Sequence, residues 1–162
     1  MREKTYYSDA PTEIEINTIQ KSYVIVKFRE NIEEFVREED RVFSADEYLL
    51  KLRYSEGLVQ RILSDPEIYL NKAKSDDYEQ AAMEIRAKRN AILSDTDKEM
   101  CLDRLGVSKP SGSSFSDWLS FLQRISSVMF GEMARYRQEL RDITKQEGFP
   151  YDVKFPEKPK TN

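Results

Sequence analysis

A chain of 162 residues with 26 Lys and Arg against 30 Asp and Glu carries a formal charge of −4. Mixed signs on an acidic balance lack the clustered positive charge that a phosphate backbone requires, so no nucleic-acid partner is expected. Histidine is absent and cysteine occurs once, which removes the commonest near-neutral general base, the commonest transition-metal ligand, an internal disulfide and a Cys–His pair.

The composition is 39% hydrophobic and 35% charged, with a mean hydropathy of −0.71, as in a charged surface around a modest core. This length suits one domain or two small modules. The N-terminus from Met1 to Tyr7 has no apolar signal region and no run approaches a membrane span, so no membrane partner and a reducing cytoplasm are expected. Cys101, between Met100 and Leu102, reads as a small packing residue.

From Thr12 to Tyr54 the pattern has mostly period two. Glu13 to Ile16 alternates, Tyr23 to Phe28 is rich in β-branched and aromatic residues, and Ile32 to Val36 continues the theme. Polar breaks at Asn17–Ser22, Glu30–Asn31 and Glu38–Arg41 suit hairpin turns. The result is an antiparallel meander of three or four strands in a β module over 1–55, needing a second layer to cover its apolar face. Asp46 to Arg53 reads equally as helix or strand. Two short helices, about 56–63 and 66–73, bridge to the second half, the later one opening at Pro66.

Ser75-Asp76-Asp77 is well placed to open a new helix from Tyr78 to Ser94, with Tyr78, Ala82, Ile85, Arg89 and Ile92 on one stripe. Ser94 to Asp97 favours caps and turns. Glu99 to Leu105 adds a short helix before Gly106. Ser108 to Ser114 is a loop, with Ser113 or Ser114 capping the final helix. The carboxylates Asp95, Asp97, Glu99 and Asp103 lack calcium-loop spacing and read as capping and solvated groups.

The last helix runs from Phe115 to about Gln146 with apolar residues Phe115, Trp118, Leu122, Ile125, Met129, Met133, Tyr136, Leu140 and Ile143 on one stripe. Gly131 marks a bend, and the helix pairs with the Tyr78–Ser94 helix as a hairpin over 75–147. Phe115 and Trp118 read as core, whereas Phe121 falls off the stripe onto the surface. Arg137 and Arg141, four apart, suit carboxylates either within the hairpin, through Glu79 and Glu84, or on a partner. Gly148 ends the helix, and Pro150, Pro156 and Pro159 make 148–162 an extended tail. Phe149, Val153 and Phe155 either fold back on the chain's own helices or dock into an apolar groove of a partner. The fold class is α+β: a small N-terminal antiparallel β meander, then a mainly helical hairpin with an extended Pro-rich C-terminal tail.

Four strings carry a resemblance: Arg89 to Asp97, Tyr136 to Ile143, Gly148-Phe149-Pro150 and Phe155 to Pro159. They resemble the phage tail assembly chaperone family, often described as tail fibre assembly proteins. The stretches Leu102–Gly106 and Phe115–Leu122 resemble a longer subgroup from phages and prophages of gut bacteria. Upstream, Val26–Ile32 and Asp46–Tyr48 resemble the β module that often precedes it. Asn90 stands where the family has Asp, and Phe155 where it has Trp. The resemblance implies a non-enzymatic factor that helps tail fibres fold, trimerise or attach, acting in the bacterial host cytoplasm during assembly. It assigns no catalytic, cofactor or metal residue. Tyr136, Arg137, Arg141, Phe149, Pro150, Phe155 and Pro156 are the expected contacts for a tail fibre or other tail protein, with self-association into a homo-oligomer left open. The alternative is a structural tail or baseplate subunit retained in the virion.

Overall fold

A computed structural model describes residues 4–20, 22–37, 40–97, 109–112 and 114–159. The chain divides into two compact units, Met1–Ala81 and Ala82–Asn162.

The first unit is built on a four-stranded antiparallel sheet of β1 (Thr5–Tyr7), β2 (Ile14–Ile19), β3 (Tyr23–Arg37) and β4 (Asp40–Arg53), in the order β1-β4-β3-β2. The alternation places Ile14 and Ile16, Val24, Val26 and Phe28, and Tyr48, Leu50 and Leu52 on one face. Two helices supply the missing layer. Leu58 and Ile62 of α1 (Leu58–Ser64), and Tyr69, Leu70 and Ala73 of α2 (Pro66–Asp97), pack on that apolar face. Asp46 to Arg53 is strand, because its apolar residues at 48, 50 and 52 continue the core face opposite Phe28, Val26 and Val24. Glu30–Asn31 is no turn. β3 continues through it as a bulge between Glu30 and Glu33, with Asn31 in the left-handed region at φ 50.

The opposite sheet face buries one charge. Arg29 donates to Tyr7 Oη at 2.9 Å, Glu47 Oε2 at 3.0 Å, the Thr12 carbonyl at 3.0 Å and Glu15 Oε2 at 2.5 Å. It thereby ties β1, β2, β4 and the β1–β2 connection to β3. Burial works against the Arg29 charge, but the hydrogen bonds to Glu15, Tyr7 and Glu47 outweigh it and hold the guanidinium protonated above its ordinary range.

α2 runs unbroken for 32 residues, beginning in the first unit and ending in the second. The expected new start at Ser75–Asp77 is absent. No Gly or Pro follows Pro66 in this run, and Asp76 pairs with Lys72 one turn earlier at 3.2 Å. The short helix expected at Glu99–Leu105, together with Cys101 and Asp103, lies outside the described residues.

The single last helix becomes two, α3 (Phe115–Phe130) and α4 (Glu132–Arg141), followed by a 3₁₀ turn over Asp142–Lys145. The break is at Gly131, which is extended at ψ 174, and a side chain there would overlap the Ser127 carbonyl. In the second unit Ala82, Tyr136, Leu140 and Ile143 are buried. The C-terminal stretch turns at Glu147–Tyr151 and has no regular secondary structure over 153–159.

Candidate functional site

Two of the family-like strings meet at one residue. Arg137, on α4, is 9% exposed and reaches the last turn of α2. It donates to the Leu93 carbonyl at 2.9 Å, to the Thr96 hydroxyl, and to Asp97 Oδ1 at 2.5 Å. Thr96 Oγ1 donates in turn to the Leu93 carbonyl at 2.9 Å. A helix end leaves polar groups unpartnered within its own ladder, and a planar, permanently charged guanidinium can serve several acceptors at once. The Thr96-Asp97 pair is thus the seat for Arg137. The carboxylates expected from sequence, Glu79 and Glu84, give way to these acceptors at the helix end.

The stretch after α4 folds back along α2. Arg86 lies over the Phe149 ring at 5.5 Å and Lys88 over the Phe155 ring at 4.5 Å. Pro150 is buried behind a cis Phe149–Pro150 bond. Gln146 holds residue 154 at both backbone groups, donating to the Lys154 carbonyl at 2.8 Å and accepting from its N–H at 2.9 Å. Gly148 is required here: its carbonyl accepts from Asp152 N–H at 2.7 Å, and a Cβ would overlap the Asp152 carbonyl. Since Arg137 meets residues 93–97 and Phe149 meets residue 86, α4 and the turn after it run antiparallel to α2, and the chain then passes from Arg86 at Phe149 to Lys88 at Phe155.

Of the sequence-predicted contacts, Tyr136, Arg137 and Pro150 are inside the unit. Arg141 is exposed, and Phe149, Phe155 and Pro156 are half-buried. Phe155 and Pro156 line a shallow depression of about 430 Å³ with Arg135, Gln138 and Asp142 of α4 and the 3₁₀ turn. Asp142 is held below the usual carboxylate range by hydrogen bonds from Lys145 and then Gln138.

The apolar face of α3 was expected in the core and is not there. Phe115 is 82% exposed, Leu122 57%, Leu119 46% and Trp118 38%. Phe121, expected outside, is half-buried and meets Trp118 edge-on at 5.7 Å. These exposed positions fall at steps of three and four along one side of the helix. α3 holds two charged residues, Asp117 and Arg124, in its 16, in a chain that is 35% charged. Leu119 is the residue that sequence reasoning missed. Its neighbours at 115, 118 and 122 supplied the signal, because it completes the same patch. Charge depletion around exposed aromatic and aliphatic side chains is the composition of an interface centre.

Among the described residues no group of carboxylates or cysteine is arranged to hold a metal ion, and no helix is long and apolar enough to cross a membrane. Comparison with curated proteins and with solved structures gave no match. Residues 82–160 match the family model described as phage tail assembly chaperone protein. The match spans the α2 terminus, the Arg137 clamp, α3 and the folded-back tail, so this part of the chain is similar to the phage tail assembly chaperone family.

Proposed function

We propose that the protein is a non-enzymatic tail assembly chaperone that binds a tail fibre or receptor-binding protein in the host cytoplasm before the partner joins the particle. The observation that carries this reading is the uncovered, charge-poor face of α3 within a unit similar to the chaperone family. A partner awaiting assembly exposes apolar surface that its mature neighbours later cover. A chaperone needs a matching apolar patch with a polar rim, and release demands that the patch be modest in size. Phe115, Trp118, Leu119 and Leu122 supply the patch. Arg141, Phe149, Phe155 and Pro156 supply a second, smaller contact. Tyr136, Arg137 and Pro150 act indirectly, by fixing α4 and the tail.

Co-expression with a tail fibre of the same phage tests the reading. The yield of soluble, trimeric fibre rises with the protein present, and an unchanged yield refutes the assignment. Mass spectrometry of purified particles separates the role from that of a structural tail or baseplate subunit, since a chaperone is absent from the virion and a subunit is present in stoichiometric copies.

A further inference from the structure

The sheet face away from α1 and α2 does not read as a solvent face throughout. A strand with one face in water shows polar residues at its outward positions, whereas apolar residues at both parities mark a strand covered on both sides. Cross-strand pairing sets the outward residues in rows. Arg29 opposite Glu47 closes one end, within the charged cluster described above. Beyond it the rows are Glu15-Lys27-Leu49, Asn17-Ile25-Lys51 and Ile19-Tyr23-Arg53, read from β2 through β3 to β4. Leu49, Ile19 and Tyr23 are each roughly half exposed, and Ile25 is half-buried among them.

Three cations stand among these side chains. Lys51 sets its Nζ over the Tyr23 ring at 4.4 Å, Arg53 is opposite Tyr23, and Lys27 is opposite Leu49. Among the described residues none of the three forms an ion pair with a carboxylate. Glu15, the carboxylate in the same rows, is engaged by Arg29 at 2.5 Å and by Asn17 at 2.9 Å. The patch is therefore apolar at its centre and positive at its rim, on a chain whose net charge is −4. That charge selects among occupants. Two copies meeting face to face oppose like charges, which disfavours a second copy. A nucleic acid needs open ring faces and many phosphate contacts, and the ring in these rows, Tyr23, already carries Lys51. An anionic bilayer gains only about 1 kcal/mol per Lys or Arg near its surface, too little from three. An acidic protein surface gains from the apolar centre and the positive rim together.

We infer that this face of the first unit docks an acidic segment of a partner protein. Lys51 and Arg53 stand two residues apart along β4, and Lys27 flanks Leu49 from β3. Carboxylates of the partner meet these three cations and ring an aliphatic or aromatic side chain seated on Ile25 and Leu49. The contact lies on the sheet of the first unit, whereas the α3 face proposed to hold the tail protein belongs to the second, and neither needs the other to hold.

Amide NMR of the full chain, titrated with a short soluble peptide of Glu, Leu and Ser, tests this. Amides of residues 15–19, 23–27 and 49–53 shift saturably, and added salt weakens the binding. Replacing every Glu of the peptide by Lys abolishes it. In the protein, Lys51→Glu combined with Arg53→Glu raises the dissociation constant by about tenfold or more. Leu49→Ser raises it by about threefold or more, while Leu122→Glu on α3 leaves it unchanged. The amide spectrum of each variant shows whether it folds; if the charge reversal does not, Leu49→Ser and the Lys peptide still decide. The inference is overturned by shifts that never saturate, by equal binding of the Lys peptide, by an unchanged dissociation constant in the folded variants, or by shifts centred on residues 115–122. It is also overturned if oligo-dT or phosphatidylglycerol vesicles shift the same amides at lower concentration than the acidic peptide, which makes the face a nucleic-acid or membrane surface.

Discussion

Replacing Arg137 with Met removes the guanidinium while keeping most of its stem. Three hydrogen bonds go with it, and they are not equal. Asp97 is 64% exposed, so its attraction is screened and contributes only ~0–1 kcal/mol. The bonds to the Leu93 carbonyl and the Thr96 hydroxyl sit in a buried position, where a charged donor contributes ~1.5–3 kcal/mol each before the acceptors find water. Allowing for that recovery, Arg137→Met destabilises the second unit by about 2–4 kcal/mol. Because the chain holds two units, a single global unfolding free energy is the wrong quantity. Amide exchange resolved to residues 134–143 reads the local opening directly. The expected acceleration is about 30- to 700-fold, at tenfold per ~1.4 kcal/mol. Asp97→Ala should accelerate the same amides by less than about fivefold. If Asp97→Ala costs as much as Arg137→Met, the clamp is an ion pair and the helix-end reasoning is wrong.

Gly148→Ala forces a side chain into the Asp152 carbonyl and should destabilise the returning tail by about 1–3 kcal/mol, seen as protease sensitivity after Glu147; unchanged resistance refutes the close-approach argument. Leu122→Glu, on the exposed face of α3, should leave thermal stability within about 0.5 kcal/mol while abolishing capture of the tail protein. Retained capture moves the docking surface elsewhere. Truncation after Glu147 removes buried Pro150 and the two ring contacts to Arg86 and Lys88. The melting temperature should fall and α4 amides exchange faster, whereas an unaffected α4 would show the tail to be dispensable for folding. Acid should weaken the first unit through Glu15, whose carboxyl is held below its ordinary value by the Arg29 hydrogen bond. A lowered folded pKa gives stability that is present above the unfolded pKa and lost as pH falls through the ordinary carboxylate range toward the folded value. Arg29→Met should flatten that dependence in thermal melts, and an unchanged slope refutes the assignment.

The alternation at Val24, Val26 and Phe28 was legible because a half-buried strand writes its two faces into adjacent letters. Glu30–Asn31 misled for a physical reason. A bulge and a turn both call for polar residues tolerant of unusual backbone, and only the strand partner distinguishes them. Ser75-Asp76-Asp77 misled similarly, since the residues that favour a helix start also pair within a helix when a lysine lies four positions earlier. Arg29 gave no signal at all. Its partners Tyr7, Glu15 and Glu47 come from three other strands, and a lone arginine in a strand reads as solvated. Arg137 was flagged by motif, but its role required the distant residues Leu93, Thr96 and Asp97. Sequence can mark both ends of such a contact without showing that they touch.

α3 illustrates the deeper limit. Steps of three and four define an apolar face equally well for a core helix and a docking helix, so Phe115 and Trp118 could not be sorted by periodicity. What separates the two cases is the charge on the rest of the helix together with the cover from the chain itself. A core helix in this protein is surrounded by charge: α2 carries Lys, Arg, Asp and Glu throughout and buries only Ala73, Ala82 and Thr96 fully. α3 has the opposite character, with serines and glutamine opposite its apolar side and only Asp117 and Arg124 charged. Such a helix gains little from water on either side. Its apolar side is exposed, while the clamp at Arg137 and the returning tail engage α4 and the end of α2. Among the described residues the second unit's specific contacts hold α4 and the tail against α2, and its most apolar helix keeps one side exposed, the side proposed here to meet a partner.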